Sequence, residues 1–244
     1  MKRKYVDLHL RLDLDDLQKA RCMIDKAAEL GYCLVGISLQ SSFSEEKKRL
    51  LKDMCREAGI DFVSRVDLKL KTPRELLSSL RSVRRRFEIV AVMCESKNVA
   101  RQAAKDRRVD LLNFPSTEFY RRFFDKPEAE LASNSLSALE MDLKPLLMLE
   151  GVPRIRLLAN LRKEVAIAQD FHVPIVVSSG VNDEMLMRKP LDMAALASLF
   201  ILDQTSALDA VSGNPAAIVE RNRAKLSPKF VAPGIRVIRE GKDW

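Results

Sequence analysis

Short apolar runs rich in β-branched residues alternate with amphipathic stretches along the whole chain. Seven runs read as strands: Tyr5–Leu10, Tyr32–Ser38, Asp61–Leu70, Ile89–Cys94, Val109–Asn113, Leu139–Leu143 and Val173–Ser178. The stretches between them carry helical period. One, from Asp15 to Leu30, is stopped by Gly31, a residue suited to the left-handed position that follows a helix. Another opens at Thr72-Pro73-Arg74-Glu75, which offers a capping box and a proline in the first turn. Asn214-Pro215 opens a late helix in the same way.

Strands interleaved with helices predict a parallel sheet with helices packed outside it. A closed (β/α) barrel and an open doubly wound sheet both satisfy this pattern. With only 8 glycines and no GxGxxG or GxxxxGK[ST] loop, the nucleotide-binding forms of the open sheet are disfavoured. A length of 244 residues suits one domain. No linker, repeat or low-complexity tract divides it. The expected organisation is a barrel domain over residues 1–226 and a basic C-terminal tail over 227–244.

Composition adds limits. Apolar residues are 47% and charged residues 31%, enough for a sizeable core. No apolar run reaches membrane-spanning length, and the basic start, Lys2-Arg3-Lys4, lacks the apolar stretch of a secretory signal. A cytoplasmic protein is expected, without membrane association. The four cysteines, Cys22, Cys33, Cys55 and Cys94, form no CxxC pair and read as buried, reduced thiols. A net charge of +8 and a pI near 9.4 favour a polyanionic partner.

Asp7-Leu8-His9-Leu10-Arg11 is the most suggestive short motif. Strand alternation predicts that Asp7, His9 and Arg11 share one face. A D-x-H-x-H pattern there would resemble the first metal-binding strand of polymerase-and-histidinol-phosphatase-type phosphoesterases. Here a cation, Arg11, stands where the second histidine would be, and the only other histidine is His172. No histidine-rich metal cluster can be assembled, so His9 is expected to be a packed, hydrogen-bonded residue without metal. Ser178-Ser179-Gly180 follows a strand but lacks a nucleophile elbow, and a loop or cap role is expected. Asp13, Asp15 and Asp16 read as the solvated start of a helix. No catalytic residue and no metal ligand is assigned.

The cations say more. Lys97, Arg101, Lys105 and Arg108 recur at helical spacing and are predicted to form one ridge, with Val99, Ala100, Ala103 and Ala104 turned inward. Arg84-Arg85-Arg86, Arg121-Arg122 and Arg188-Lys189 are further basic groups. From Arg221 onward seven cations face two acids. Such groups neutralise phosphates. The expected RNA-contacting residues are Lys97, Arg101, Lys105, Arg108, Arg188 and Lys189. Aromatic residues are only 6%, which argues against a base-stacking platform and for backbone and shape contacts to folded RNA.

Taken in order, several segments resemble the protein component 3 family of archaeal ribonuclease P, related to the 30-kDa subunit of the eukaryotic enzyme. They are Val6-Asp7-Leu8-His9-Leu10-Arg11, Val92-Met93-Cys94-Glu95-Ser96-Lys97-Asn98, Val109-Asp110-Leu111-Leu112-Asn113 and Val177-Ser178-Ser179-Gly180. The run from Met187-Arg188-Lys189-Pro190-Leu191-Asp192 to Leu196 and the Asn214-Pro215 helix complete the match, over roughly residues 4–226. The chain departs at Leu196-Ala197-Ser198-Leu199, where relatives place glycine, and beyond Leu226. The resemblance implies a single-domain, TIM-barrel-like (β/α) barrel related to the polymerase-and-histidinol-phosphatase-type barrels. It also implies a subunit of the endoribonuclease that removes the 5′ leader from precursor tRNA. The partners implied are the RNase P RNA, precursor tRNA and protein component 2, with components 1 and 4 in the holoenzyme. Catalysis is implied to lie in the RNA with Mg²⁺, and no cofactor is expected on this chain. Two alternatives stand beside this: a metal-dependent phosphoesterase on the same barrel, and a purely protein-binding scaffold.

Overall fold

The computed structural model describes residues 3–115, 122–201, 203–232 and 235–236. Each of the seven apolar runs overlaps a strand, with bounds shifted by a few residues: β1 (Val6–Leu10), β2 (Leu34–Leu39), β3 (Asp61–Leu68), β4 (Ile89–Met93), β5 (Leu111–Asn113), β6 (Ala138–Asp142) and β7 (Ile175–Ser178). They pair in chain order, every pair parallel. The segment after β7 then returns to β1, where Gly180 N donates to His9 O at 3.0 Å and Arg11 N donates to Val181 O at 2.9 Å. These bonds close the ring at its C-terminal end. The fold is therefore the barrel and not the open sheet.

Ten α-helices are described: α1 (Leu17–Glu29), α2 (Glu45–Glu57), α3 (Pro73–Val83), α4 (Lys97–Lys105), α5 (Lys126–Ser135), α6 (Lys144–Met148), α7 (Gly151–Asp170), α8 (Pro190–Ala197), α9 (Gln204–Ala210) and α10 (Gly213–Leu226). Their ends follow the local chemistry. Asp16 caps α1 by accepting from Lys19 N, and Gly31 takes φ +92° just after it. Thr72 accepts from Glu75 N at 3.3 Å, while Glu75 reaches back to Lys71 N. The late helix departs from expectation: Ser212 is its N-cap, and the Asn214 amide instead donates to Ile175 O at 2.8 Å, tying α10 to β7. Of the cysteines, Cys55 and Cys94 are buried, but Cys22 and Cys33 are exposed, because they lie on the solvent side of α1 and just ahead of β2. Beyond Leu226, β8 (Phe230–Ala232) and β9 (Ile235–Arg236) pair antiparallel, so the basic tail begins with a short ladder.

The barrel interior has two layers of opposite character. Its base is apolar: Val6, Leu8, Val63, Ile89 and Leu111 pack with Ile218 and Val219 of α10, which runs beneath the strands as a plug. Burying each such side chain contributes roughly 1.5–3 kcal/mol. Above this layer the inward positions turn polar.

A bulge in β1 sets the transition. Asp7 pairs with Val35 and Leu10 with Ile37, so β1 advances three residues while β2 advances two. Gly36 faces this bulge, and a Cβ there would lie 2.4 Å from Leu8 O. Only glycine lets the strands approach so closely.

Candidate functional site at the C-terminal mouth of the barrel

Alternation along β3, β5, β6 and β7 turns Arg65, Asp67, Asn113, Glu140, Asp142 and Ser178 toward the barrel axis. The bulge shifts the parity of β1, so that His9 joins them although Leu8 already points inward. The expected grouping of Asp7 with His9 and Arg11 is corrected by the same bulge. Asp7 Oδ1 instead accepts from the backbone N–H of His9 (3.1 Å) and of Ser179 (3.0 Å). Its Oδ2 has no partner, and burial pushes its carboxyl pKa upward. The bond from Ser179 ties β1 to the end of β7.

Arg65 is the centre of the cluster and has no solvent exposure. Its guanidinium donates to Glu140 twice, at 2.5 and 2.6 Å, to Asp67 Oδ1 at 2.8 Å and to Leu8 O at 2.9 Å. Asn113 donates to Glu140 (3.0 Å) and Asp142 (3.2 Å), and Ser178 donates to Glu140 (2.8 Å). Ser38 donates to Asp67. Every carboxylate of the mouth is therefore paired with a cation or a neutral donor.

His9 bridges the rim. Its Nδ1 lies 2.8 Å from Asp142 Oδ1, and its Nε2 lies 3.3 Å from Asp67 Oδ2. Burial and the Arg65 charge push the imidazole pKa down, but Asp142 and Asp67 outweigh them and lift it to about 9. Arg11 Nε also lies 2.9 Å from Nε2, where it donates to the neutral ring. The two carboxylates dominate the charge balance, so the ring holds its proton at neutral pH. Arg11, whose side chain is 45% exposed, also lies 3.6 Å from Asp142 Oδ2 and adds a cation at the outer edge of the rim. Arg65 and His9 hold Asp67 well below the usual carboxylate range against the opposing effect of burial.

His9, Glu140 and Asp142 place one potential ligand atom each within 4.8 Å of one another, a trio that sequence reading missed. It does not fit a metal ion. Arg65 already occupies both Glu140 oxygens, and a divalent cation beside that buried guanidinium would meet an uncompensated positive charge. Ser178 and Ser179 are buried within the strand end and bonded there, so they offer no exposed nucleophile. The mouth is built to hold its charges still.

The expected cationic ridge is divided in the structure. α4 ends at Lys105, and Asp106 leaves the helix in an extended conformation, so Arg108 lies off the ridge and pairs with Asp106 at 2.7 Å. Arg101 pairs with Asp125 (2.6 Å) and Glu128 (2.8 Å), carboxylates brought in by α5. Lys97 and Lys105 stay exposed. Arg188 spends its guanidinium on the carbonyls of Met185 and Met187, whereas Lys189 is exposed. Arg122 is buried against Glu164, and Arg121 lies outside the described residues.

Comparison with known proteins gives concordant results. The family model for RNase P subunit p30 matches residues 4–227. Ribonuclease P protein component 3 of Methanosarcina barkeri is 33% identical over 177 residues, 72% of each chain. A chain in the cryo-EM structure of archaeal ribonuclease P with mature tRNA is similar with a TM-score of 0.85 and 22% identity, over 98% of this chain and 100% of that one. Histidinol phosphate phosphatase from Lactococcus lactis, complexed with zinc, L-histidinol and phosphate, shares the fold with a TM-score of 0.51 and 9% identity over 90% of this chain and 94% of that one.

Proposed function

The chain belongs to the RNase P subunit p30 family, and we infer from that membership that it is a component of ribonuclease P, the ribonucleoprotein that processes precursor tRNA. Within that complex it supports the catalytic RNA together with protein component 2, alongside components 1 and 4, and does not itself cut the phosphodiester. One observation carries the second part: the Arg65–Glu140 pair fills the place where a barrel phosphoesterase would need open ligands. Mg²⁺ would be held by the RNA and would supply activation of the water that releases the 5′ leader, with no residue of this chain as its ligand. Lys97, Lys105 and Lys189 are proposed RNA contacts, with Arg101, Arg108 and Arg188 as supporting cations whose charge is partly or locally engaged.

Reconstitution tests this reading. Catalytic RNA with component 2 should cleave precursor tRNA faster, or at lower Mg²⁺, when this chain is added. The chain without RNA should give no cleavage. Mg²⁺-dependent 5′ maturation by highly purified, RNA-free protein would overturn the division of labour. Elemental analysis showing a stoichiometric bound metal would support a phosphoesterase instead.

A further inference from the structure

We propose that a basic groove on the outer flank of the barrel, beside α2 and the loop into β4, binds the phosphodiester backbone of a folded RNA. This rests on the ribonuclease P reading and names a surface for it. A groove of about 570 Å³ lies there between α2, the loop after α3 and the end of α10. Six cations line it, Lys48, Arg49, Lys52, Arg85, Arg86 and Arg223, against the three carboxylates Glu45, Asp61 and Glu88. Two of those acids, Asp61 and Glu88, are engaged by Arg223. Arg49, Lys52 and Arg85 are exposed, with no carboxylate in ion-pair reach among the described residues.

How the other cations are held is the stronger argument. Arg86 donates to the carbonyls of Ser41 (2.9 Å) and Phe43 (3.1 Å), and Lys48 donates to Arg86 O at 2.7 Å. Both also sit 5.8 Å from the centre of the Phe87 ring. Carbonyls and a ring orient a cation without cancelling its charge. Two positive groups are thus fixed close together with their fields directed at the groove. A binding site for a polyanion needs that arrangement, and a charge-neutral surface network does not.

The surplus continues beside the groove. Arg84, Arg107, Arg221 and Lys225 gather around one carboxylate, Asp110. Arg221 also donates to Leu136 O, and Arg84 Nη2 and Arg221 Nε are buried without a partner. Burial, with Arg221, Arg84 and Arg107, pulls the Lys225 pKa down. A phosphate bound beside Lys225 would offset this crowding of like charge. The groove's apolar lining is limited to Phe62 and Leu226, too little for the anchors that centre a protein interface. An RNA backbone fits better than an acidic protein.

The test uses the full chain with component 2 and the catalytic RNA. Reversing Arg49→Glu, Lys52→Glu and Arg85→Glu together should weaken RNA binding tenfold or more at low salt. The gap should narrow as salt rises, and the slope of log affinity against log salt should fall by about 0.7–0.9 for each phosphate no longer neutralised. The neutral set Arg49→Gln, Lys52→Gln and Arg85→Gln should act in the same direction with a smaller effect, and melting temperatures should match the parent. Binding to component 2 without RNA should be unchanged. Unchanged RNA affinity and salt slope, in a complex that the unmodified chain still stimulates, would overturn the surface alone. Loss of component 2 binding would overturn it in favour of a protein interface. Failure of the unmodified chain to stimulate cleavage would overturn both readings.

Discussion

At the C-terminal mouth, Arg65 meets Glu140 through two hydrogen bonds and Asp67 through a third; on the outer flank, Arg86 meets carbonyls and an aromatic ring but, among the described residues, no carboxylate. Both guanidiniums are held in place, but only the first is neutralised. A buried cation requires a buried anion, because desolvated charge is costly when unpaired. A surface cation faces no such demand, and carbonyls can aim it while its field extends into solvent. The charge inside the barrel is therefore paired and fixes the strand ends, whereas the groove outside keeps a surplus of cations that a polyanion can reach.

Breaking the interior pair should have the largest consequence. Glu140→Ala leaves fully buried Arg65 with Asp67 as its one remaining carboxylate, and the expected loss is about 3 kcal/mol in denaturant unfolding. Replacing both partners, Arg65→Met with Glu140→Leu, should recover most of it. If the double variant is as unstable as the single one, the mouth depends on more than charge pairing.

His9 gives the next effect and a pH signature. His9→Ala should destabilise by about 1–3 kcal/mol through unpaired buried partners, with assembled activity largely intact. The folded pKa of about 9 lies above the free-imidazole value of 6.5, so the native state binds the proton more tightly. That contribution is fully present below pH 6.5 and is lost as pH rises through 9. Melting temperature should fall across this window for the parent, and His9→Gln should flatten the fall. An identical profile for the two proteins would show that His9 is uncharged in this window and would overturn its assignment as a charged bridge.

Arg101→Ala follows. It leaves Glu128, buried and with its pKa already raised to about 7, without its cation. A loss of about 1–3 kcal/mol is expected, which a solvated ridge residue would not show. The smallest effect belongs to Lys97→Glu with Lys105→Glu: stability should stay within about 0.5 kcal/mol. Its RNA affinity should drop less than that of the groove variant. A larger drop would return the main RNA-binding surface to α4.

The strands were legible because β-branched runs leave little alternative, and seven of them in order with helices between restrict the topology. The polar mouth was only partly legible. In Ala138-Leu139-Glu140-Met141-Asp142 the alternation itself places both acids opposite Leu139 and Met141, a signal that local reading could have used. Arg65 gave no such sign, since an arginine in a strand ordinarily reads as solvent-facing. The β1 bulge is invisible in β1, and its trace is Gly36 on the neighbouring strand. The ridge on α4 was correctly placed on one helical face through Lys105. The acids that engage Arg101 come from α5, and no local spacing announces them.

The plug formed by α10 bears on how this chain is made. Ile218 and Val219 complete the base of a barrel whose first strand begins at Val6. While the chain is being synthesised, β1 to β7 emerge before the helix that seals their interior. A nascent chain that has not yet released residues 213–226 from the ribosome exposes an apolar barrel floor, so stable folding waits for the late helix. Apolar surface left open in this way during synthesis is prone to aggregate until the helix covers it.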